Sequence, residues 1–223
     1  INTCGFINEA IDESLEAIEE ALDEHDHVIV TGCLGAKPHL IEERFDNVIA
    51  ISGPAQFDQV ISAIHQQIPP PHLPKPGLVP KSGIKLTPRH YAYLKISEGC
   101  SHQCSFCIIP QLRGDMISQP LPQIMTEAET LINDGVKEIL IVAQDTTAYG
   151  NDLDNPLIDF RGNTIKTDLI NLCYELGKLD AWIRLHYLYP YPIVDRILPL
   201  MADQKILPYL DIPFQHSSPD VLK

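Results

Sequence analysis

Cys100, Cys104 and Cys107 fall within the run EGCSHQCSFCIIPQLRGD (residues 98–115), and no fourth cysteine follows in that run. In a cytoplasmic chain such a cluster is more often a metal or redox site than a disulfide framework. A structural zinc ion wants four protein ligands, typically two separated cysteine pairs or cysteines with histidine. His102 is the one candidate fourth ligand inside the cluster, and its place two residues from a cysteine on either side is geometrically awkward. The spacing therefore describes a shell deliberately one thiolate short.

The elements that must hold these cysteines follow from periodicity. Residues Asn8 to Leu22 set Ile11, Leu15, Ile18 and Leu22 four, three and four apart, the pattern of an amphipathic helix. VIVTGCLG (28–35) reads as a buried strand entering a Gly-rich turn. Pro38 to Phe45 reads as a short helix, VIAI (48–51) as a second strand and Ala55 to Ile68 as a second long helix. Strand and helix alternate, which predicts a small α/β layer domain over 1–68. The stretch 69–90 has seven prolines between Pro69 and Pro88 and is expected to be a semi-rigid linker.

Alternation resumes with strand YAYLKIS (91–97), a helix from Pro122 to Asn133 and strand KEILIVA (137–143). A loop rich in Asp, Asn and Gly (144–163) leads to a helix at Lys166–Leu179, strand WIRLHYL (182–188), helix Ile193–Met201 and strand YLDIPF (209–214). The expected fold class is α/β throughout. Over 91–223 the expectation is a partial (β/α) barrel, or an open sheet of the same design, with parallel strands. The chain opens without methionine and stops just as a helical pattern begins, so it is expected to be a stretch of a longer protein.

Ligands in parallel α/β folds sit at the C-terminal ends of strands, and the three cysteines directly follow the first strand of the second domain. Gln144 and Asp145 end the second strand, where they either face a ligand or close a local turn. His186 and Tyr187 end the third, and Gln215 and His216 follow the fourth. Arg113 suits bidentate binding of a carboxylate, or ties down its own loop. Cys173, in step with Leu169, Leu172 and Leu176, reads as core, and on the residues alone Cys4 and Cys33 read as ordinary thiols.

Composition limits the partners. The chain has 223 residues, 44% hydrophobic and 21% charged, enough to bury a sizeable core. No apolar run approaches the about 18 residues that span a bilayer, and no basic-then-apolar leader opens the chain, so a cytoplasmic protein with no membrane partner is expected. The formal charge of −14 is concentrated in residues 1–68, which carry −11, against +4 over 69–107 and −7 over 108–223. Nucleic-acid grooves depend on Lys and Arg, so this acidity favours a basic protein partner or simply a solvated surface.

Cys-x3-Cys-x2-Cys with Phe106 before the last cysteine resembles the signature of the radical S-adenosylmethionine enzymes. KISEGCSHQCSFCIIPQLRGDMIS, VKEILIVAQDTTAYG and LHYLYPYP resemble, within them, the methylthiotransferases. Gln111-Leu112-Arg113-Gly114-Asp115 is similar to the branch that modifies the β-carbon of an aspartate in a ribosomal small-subunit protein. The sister branch, acting on an adenosine of tRNA, usually has Tyr-Thr-Arg-Gly-Glu there and is the alternative reading. Gln119 departs from the arginine more usual in the family.

The resemblance implies a methylthiotransferase with two [4Fe–4S] clusters and S-adenosyl-L-methionine as cofactors. Cys100, Cys104 and Cys107 would ligate three irons and leave the fourth open for the cofactor. Phe106, Arg113, Gln144 and Asp145 would bind that cofactor. Cys4, in NTCGF, and Cys33, in TGCLG, match two ligands of the second cluster, whose third would come from a Gly-Cys-Pro motif upstream of Ile1. The implied partners are the ribosomal protein and a reductant such as flavodoxin or ferredoxin, with any RNA contact left to regions outside this stretch. Two readings from other classes stand against it: a ferredoxin-like electron carrier, which normally closes each cluster with four thiolates, and a zinc-stabilised binding module.

Overall fold

The computed structural model describes residues 1–68 and 85–221. Most of the proline-rich linker, and the last two residues, lie outside the described residues. Two compact units emerge, one built from 1–68 together with 99–115, the other from 85–98 and 116–221.

The first unit opens with β1 (Asn2–Thr3) and α1 (Asn8–Glu24), then β2 (Ile29–Gly32), a 3-10 turn at Leu34–Ala36, α2 (His39–Glu42), β3 (Ala50–Ile51) and α3 (Phe57–Gln67). The strands form a parallel sheet in the order β1-β2-β3. The helical spacing read in α1 is its buried face: Leu15 and Ile18 pack with Val28, Val30, Leu34 and Ile41, and Ile11 and Leu22 flank them. The acidic side chains of α1 occupy the other face, as amphipathic periodicity requires.

The second unit begins with β4 (Tyr91–Lys95) and β5 (Ser97–Glu98). The chain returns after the cysteine loop, which carries α4 (Ile109–Arg113) in the first unit, as β6 (Ile117–Ser118). There follow α5 (Leu121–Asn133), β7 (Glu138–Val142), a 3-10 turn at Thr146–Ala148, β8 (Leu157–Phe160), β9 (Asn163–Lys166), α6 (Leu169–Leu176), β10 (Trp182–Leu185) and α7 (Ile193–Ala202). β10, β7 and β4 form a parallel sheet in that order, with Ile139 paired to Ala92 on one side and Ile183 on the other. α5 and α6 are the crossovers. Each buries positions 0, 3, 4 and 7 of its run: Leu121, Ile124, Met125 and Ala128 in α5, and Leu169, Leu172, Cys173 and Leu176 in α6. These join Leu94, Ile139, Ile141, Ile183 and Leu185 in one core. Among the described residues the sheets are open and none closes into a barrel.

Three expectations differ from the structure. The loop expected over 144–163 contains an antiparallel hairpin, β8–β9, turned by Arg161 and Gly162, both at positive φ. Alternation in LIDF and NTIK is the signal the Asp- and Asn-rich composition obscured. The strand expected at 209–214 does not form. Pro208 precedes the segment and Pro213 lies inside it, and neither can donate to a ladder. What remains is a bond from Leu207 N–H to Ile183 O, 2.8 Å, and one from Leu188 N–H to Asp211 O, 2.9 Å. The expected helix over 166–179 starts only at Leu169, because Asp168 caps it by accepting from Asn171 N–H at 2.9 Å.

Candidate active site

The cysteine loop leaves the sheet at one point and returns beside it. β5 and β6 pair antiparallel, Ser97 with Ser118 and Glu98 with Ile117. Within the first unit Cys100 N–H then donates to Gly114 O at 3.0 Å, closing the neck of the loop. Gly99 sits there at φ 80°, and a Cβ on it would collide with the Asp115 carbonyl oxygen, so the neck admits only glycine. Beyond the neck, Cys107 N–H donates to Cys104 O at 3.0 Å in a tight turn, and α4 anchors the far side through buried Leu112.

Cys100, Cys104 and Cys107 are all half-buried and free of disulfides, and Phe106 is 71% exposed. Arg113 is the half-buried last residue of α4. Among the described residues no three His, Cys, Asp or Glu side chains converge on a point, as ligands of a single metal ion must. A cluster spreads its thiolates over separate irons, so three soft donors on one accessible loop fit that group without meeting at a point.

Cys4 and Cys33 lie in the same unit. Thr3 and Gly32 are register partners in β1 and β2, and each cysteine is the next residue along. Cys33 N–H donates to Thr3 O at 3.0 Å, and the Ser14 hydroxyl holds Cys4 from both sides, accepting from its N–H at 3.0 Å and donating to its carbonyl at 2.9 Å. α4 packs against the Leu34–Ala36 turn that follows Cys33, which is why the cysteine loop groups with this unit.

In the second unit the polar residues gather at the C-terminal ends of the parallel strands. Asp145, after β7, accepts from Thr147 N–H at 3.0 Å and Ala148 N–H at 3.3 Å, capping the turn it begins. Gln144 donates through Nε2 to Glu98 Oε1 at 3.4 Å, and Glu98 is itself paired with Lys95 at 2.6 Å. Because a carboxylate only accepts, the amide of Gln144 must turn its oxygen the other way. Among the described residues that oxygen is buried without a partner, as are Ser97 Oγ, Gln119 Oε1, Thr146 Oγ1 and His186 Nε2.

Buried polar atoms are ordinarily paired, so five orphans after β4, β6, β7 and β10 make these strand ends the candidate place for a polar ligand. The sequence reading had Gln144, Asp145 and His186 in view. It missed Ser97 and Thr146, whose signal was only a hydroxyl beside a strand end.

Cys173 stands apart from the other cysteines. Fully buried in α6, its thiol is pushed up to about 12 by burial and then by Asp168. Tyr149 is likewise held well above the usual phenol range, by burial first and then by Asp152 and Asp168, and it donates to Gln119 O at 2.8 Å. Both are structural.

The described residues include no helix long and apolar enough to cross a membrane. Residues 94–223 match the family model of the radical SAM superfamily. The whole chain is 59% identical to a ribosomal protein uS12 methylthiotransferase RimO of Brucella anthropi and 58% identical to its counterpart of Brucella canis. All of this chain and 51% of each relative is covered, so it spans about half their length. Among solved structures it is similar to the radical S-adenosylmethionine methyltransferase TsrM from Kitasatospora setae. With tryptophan and an S-adenosylmethionine analogue bound, that enzyme matches at TM-score 0.61 and 17% identity, over 95% of this chain and 46% of that one. With cobalamin and a [4Fe-4S] cluster bound, it matches at TM-score 0.63 and 16% identity, over 95% and 47%. At such identities the likeness concerns the fold. With more than half its length matched by the family model, the chain belongs to the radical SAM superfamily.

Proposed function

We propose that this chain is part of an enzyme that places a methylthio group on the β-carbon of an aspartate in ribosomal protein uS12. One observation carries the reading: 59% identity along all 223 residues to an enzyme named for that reaction. Chemistry supports it, because the β-carbon C–H of an aspartate is not acidic enough for any side-chain base tuned to neutral pH.

Cys100, Cys104 and Cys107 would hold three irons of a [4Fe–4S] cluster, and Cys4 and Cys33 would supply two ligands to a second. Such a cluster supplies, when bound, the electron that cleaves S-adenosylmethionine to a 5′-deoxyadenosyl radical, which takes hydrogen from unactivated carbon. The chain's own residues position and shield. Phe106 and Arg113 belong to the cysteine loop and are assigned to the cofactor, as are Gln144, through its buried amide oxygen, and Asp145, through the turn it caps. The apolar core behind β4, β7 and β10 keeps water from that side of the strand ends.

The domains proposed are a methylthiotransferase domain over 1–68, a linker over 69–90 and the radical SAM domain over 91–223. A flavodoxin or ferredoxin is the proposed reductant and the cytoplasm the proposed compartment. The acidity of residues 1–68 suits a basic ribosomal protein better than a polyanion. The test is product analysis of uS12 and tRNA from cells with and without the gene. Loss of the methylthio group from uS12 alone is expected, whereas loss from tRNA with uS12 intact overturns the assignment.

A further inference from the structure

The imidazole of His186 has one nitrogen committed and one waiting. Nδ1 lies 3.1 Å from Asp211 Oδ2. A carboxylate only accepts, so Nδ1 carries a proton in either charge state and Nε2 is left to face elsewhere. That atom is buried and has no partner among the described residues. The ring is bounded by Tyr209, edge-on at 5.8 Å, and Tyr187, tilted at 5.9 Å.

Asp211 does a second job. The same oxygen accepts from Tyr187 N–H at 3.1 Å, holding Tyr187 at φ 57°, a left-handed conformation costly for a bulky side chain. The carbonyl of Tyr187 in turn accepts from Thr146 N–H at 3.1 Å, tying the end of β10 to the turn after β7. Thr146 is fully buried, and its hydroxyl is another of the orphaned atoms. Two linked strand ends thus each present a buried hydrogen-bonding atom, next to strained backbone of the kind that collects at functional sites.

We infer that Thr146 Oγ1 and His186 Nε2 form a carboxylate-receiving subsite, with Asp211 the positioning residue behind the imidazole. The two orphaned glutamine oxygens, of Gln119 and Gln144, can only accept and so suit the ammonium or hydroxyl groups of a ligand. An anionic group is left to the hydroxyls and to Nε2 of the His186 ring. With a proton on each ring nitrogen, the imidazole would join Asp211 on the far side to the bound carboxylate through charge-assisted bonds.

The inference rests on the proposed function, whose reactants bring two carboxylates: the methionyl carboxylate of S-adenosylmethionine and the side chain of the substrate aspartate. The test uses His186→Ala, Thr146→Val and Asp211→Asn in the full-length holoenzyme, with iron content and circular dichroism matched to wild type. Three quantities are read: the affinity for S-adenosylhomocysteine, the affinity for 5′-methylthioadenosine, which lacks the carboxylate, and KM against kcat for uS12.

If the subsite takes the cofactor's carboxylate, His186→Ala and Thr146→Val weaken S-adenosylhomocysteine by about tenfold or more and leave 5′-methylthioadenosine unchanged. If it takes the substrate's, both nucleosides bind as before and KM for uS12 rises by a similar factor with kcat less affected. Asp211→Asn follows in the same direction with a smaller change. Equal losses for both nucleosides, or no change in any of the three quantities, overturns the inference. Should the wild-type enzyme leave uS12 unmodified, the proposed function falls, and the nucleosides alone decide the subsite: unchanged affinity for both overturns it.

Discussion

Cys4 and Cys33 each stand one residue beyond a register pair, Thr3 and Gly32, at the same end of two adjacent parallel strands. Their backbones are fixed by Ser14 and by Thr3 O, so the two residues are held at one end of the sheet on neighbouring strands. Gly32 makes this possible. At φ 100°, with the Thr3 carbonyl where a Cβ would stand, only glycine turns the chain toward Cys33.

A division of labour between the two cysteine sets follows. In the full-length protein reconstituted without oxygen, replacing Cys4 and Cys33 by Ala is expected to remove one cluster's worth of iron and abolish methylthio transfer while 5′-deoxyadenosine still forms. Replacing Cys100, Cys104 and Cys107 is expected to abolish 5′-deoxyadenosine as well. Iron analysis and chromatography of the nucleoside check both, and iron content unaffected by either set contradicts the ligand assignment.

The neck of the cysteine loop gives a second expectation. Gly99→Ala forces a Cβ against the Asp115 carbonyl at a left-handed residue, a strain of roughly 1–3 kcal/mol. Iron retained by the Cys4, Cys33 double variant is expected to fall when Gly99→Ala is added. Equal retention in both proteins counts against the neck as the device that shapes the loop.

Thiol reactivity separates Cys173 from the rest. A thiol pushed up to about 12 is almost wholly protonated at pH 8, and it is also inaccessible. Alkylation of the native apoprotein at pH 8, mapped by mass spectrometry, is expected to label Cys4, Cys33, Cys100, Cys104 and Cys107 and to reach Cys173 only after denaturation. Early labelling of Cys173 contradicts its place in the core.

Ile139 lies at the centre of the parallel sheet, between Ala92 and Ile183, with no exposed surface. Ile139→Ala removes buried methylenes where the neighbouring strands cannot close in, and a loss of about 2–5 kcal/mol is expected in denaturant unfolding. A loss under about 1 kcal/mol would place Ile139 at a surface position instead.

What the sequence showed, and what it hid, divides by range. The helices and parallel strands around Leu15, Leu121 and Ile139 repeat locally, so their faces were legible from spacing. The hairpin at Leu157–Phe160 and Asn163–Lys166 was masked by the polar residues of its exposed face, and YLDIPF looks like a strand until Pro208 before it and Pro213 within it are weighed. The cysteine loop's membership of the first unit depends on α4 meeting the Leu34–Ala36 turn, a contact across more than seventy residues that no window of sequence contains. The same holds for Asp211 and His186, which meet across 25 residues. The Cys100, Cys104, Cys107 pattern itself was legible because its spacing lies within one loop.

If the acidic first unit steers a basic partner, methylthiolation of uS12 is expected to slow as salt rises, because screening shortens to about 8 Å at physiological ionic strength. Charge reversal at Glu13, Glu16, Glu20 and Glu24 of α1 is expected to slow it further at low salt. A rate independent of both contradicts steering and leaves the chemistry untouched.

The central claim is tested most directly by offering uS12 and tRNA together to the anaerobically reconstituted full-length enzyme, with S-adenosylmethionine, sulfide and a flavodoxin or dithionite reductant, and reading both by mass spectrometry. The account predicts that one aspartate of uS12 exchanges hydrogen for a methylthio group, that 5′-deoxyadenosine accumulates alongside, and that tRNA is unchanged. A methylthio group on tRNA with uS12 unmodified contradicts it.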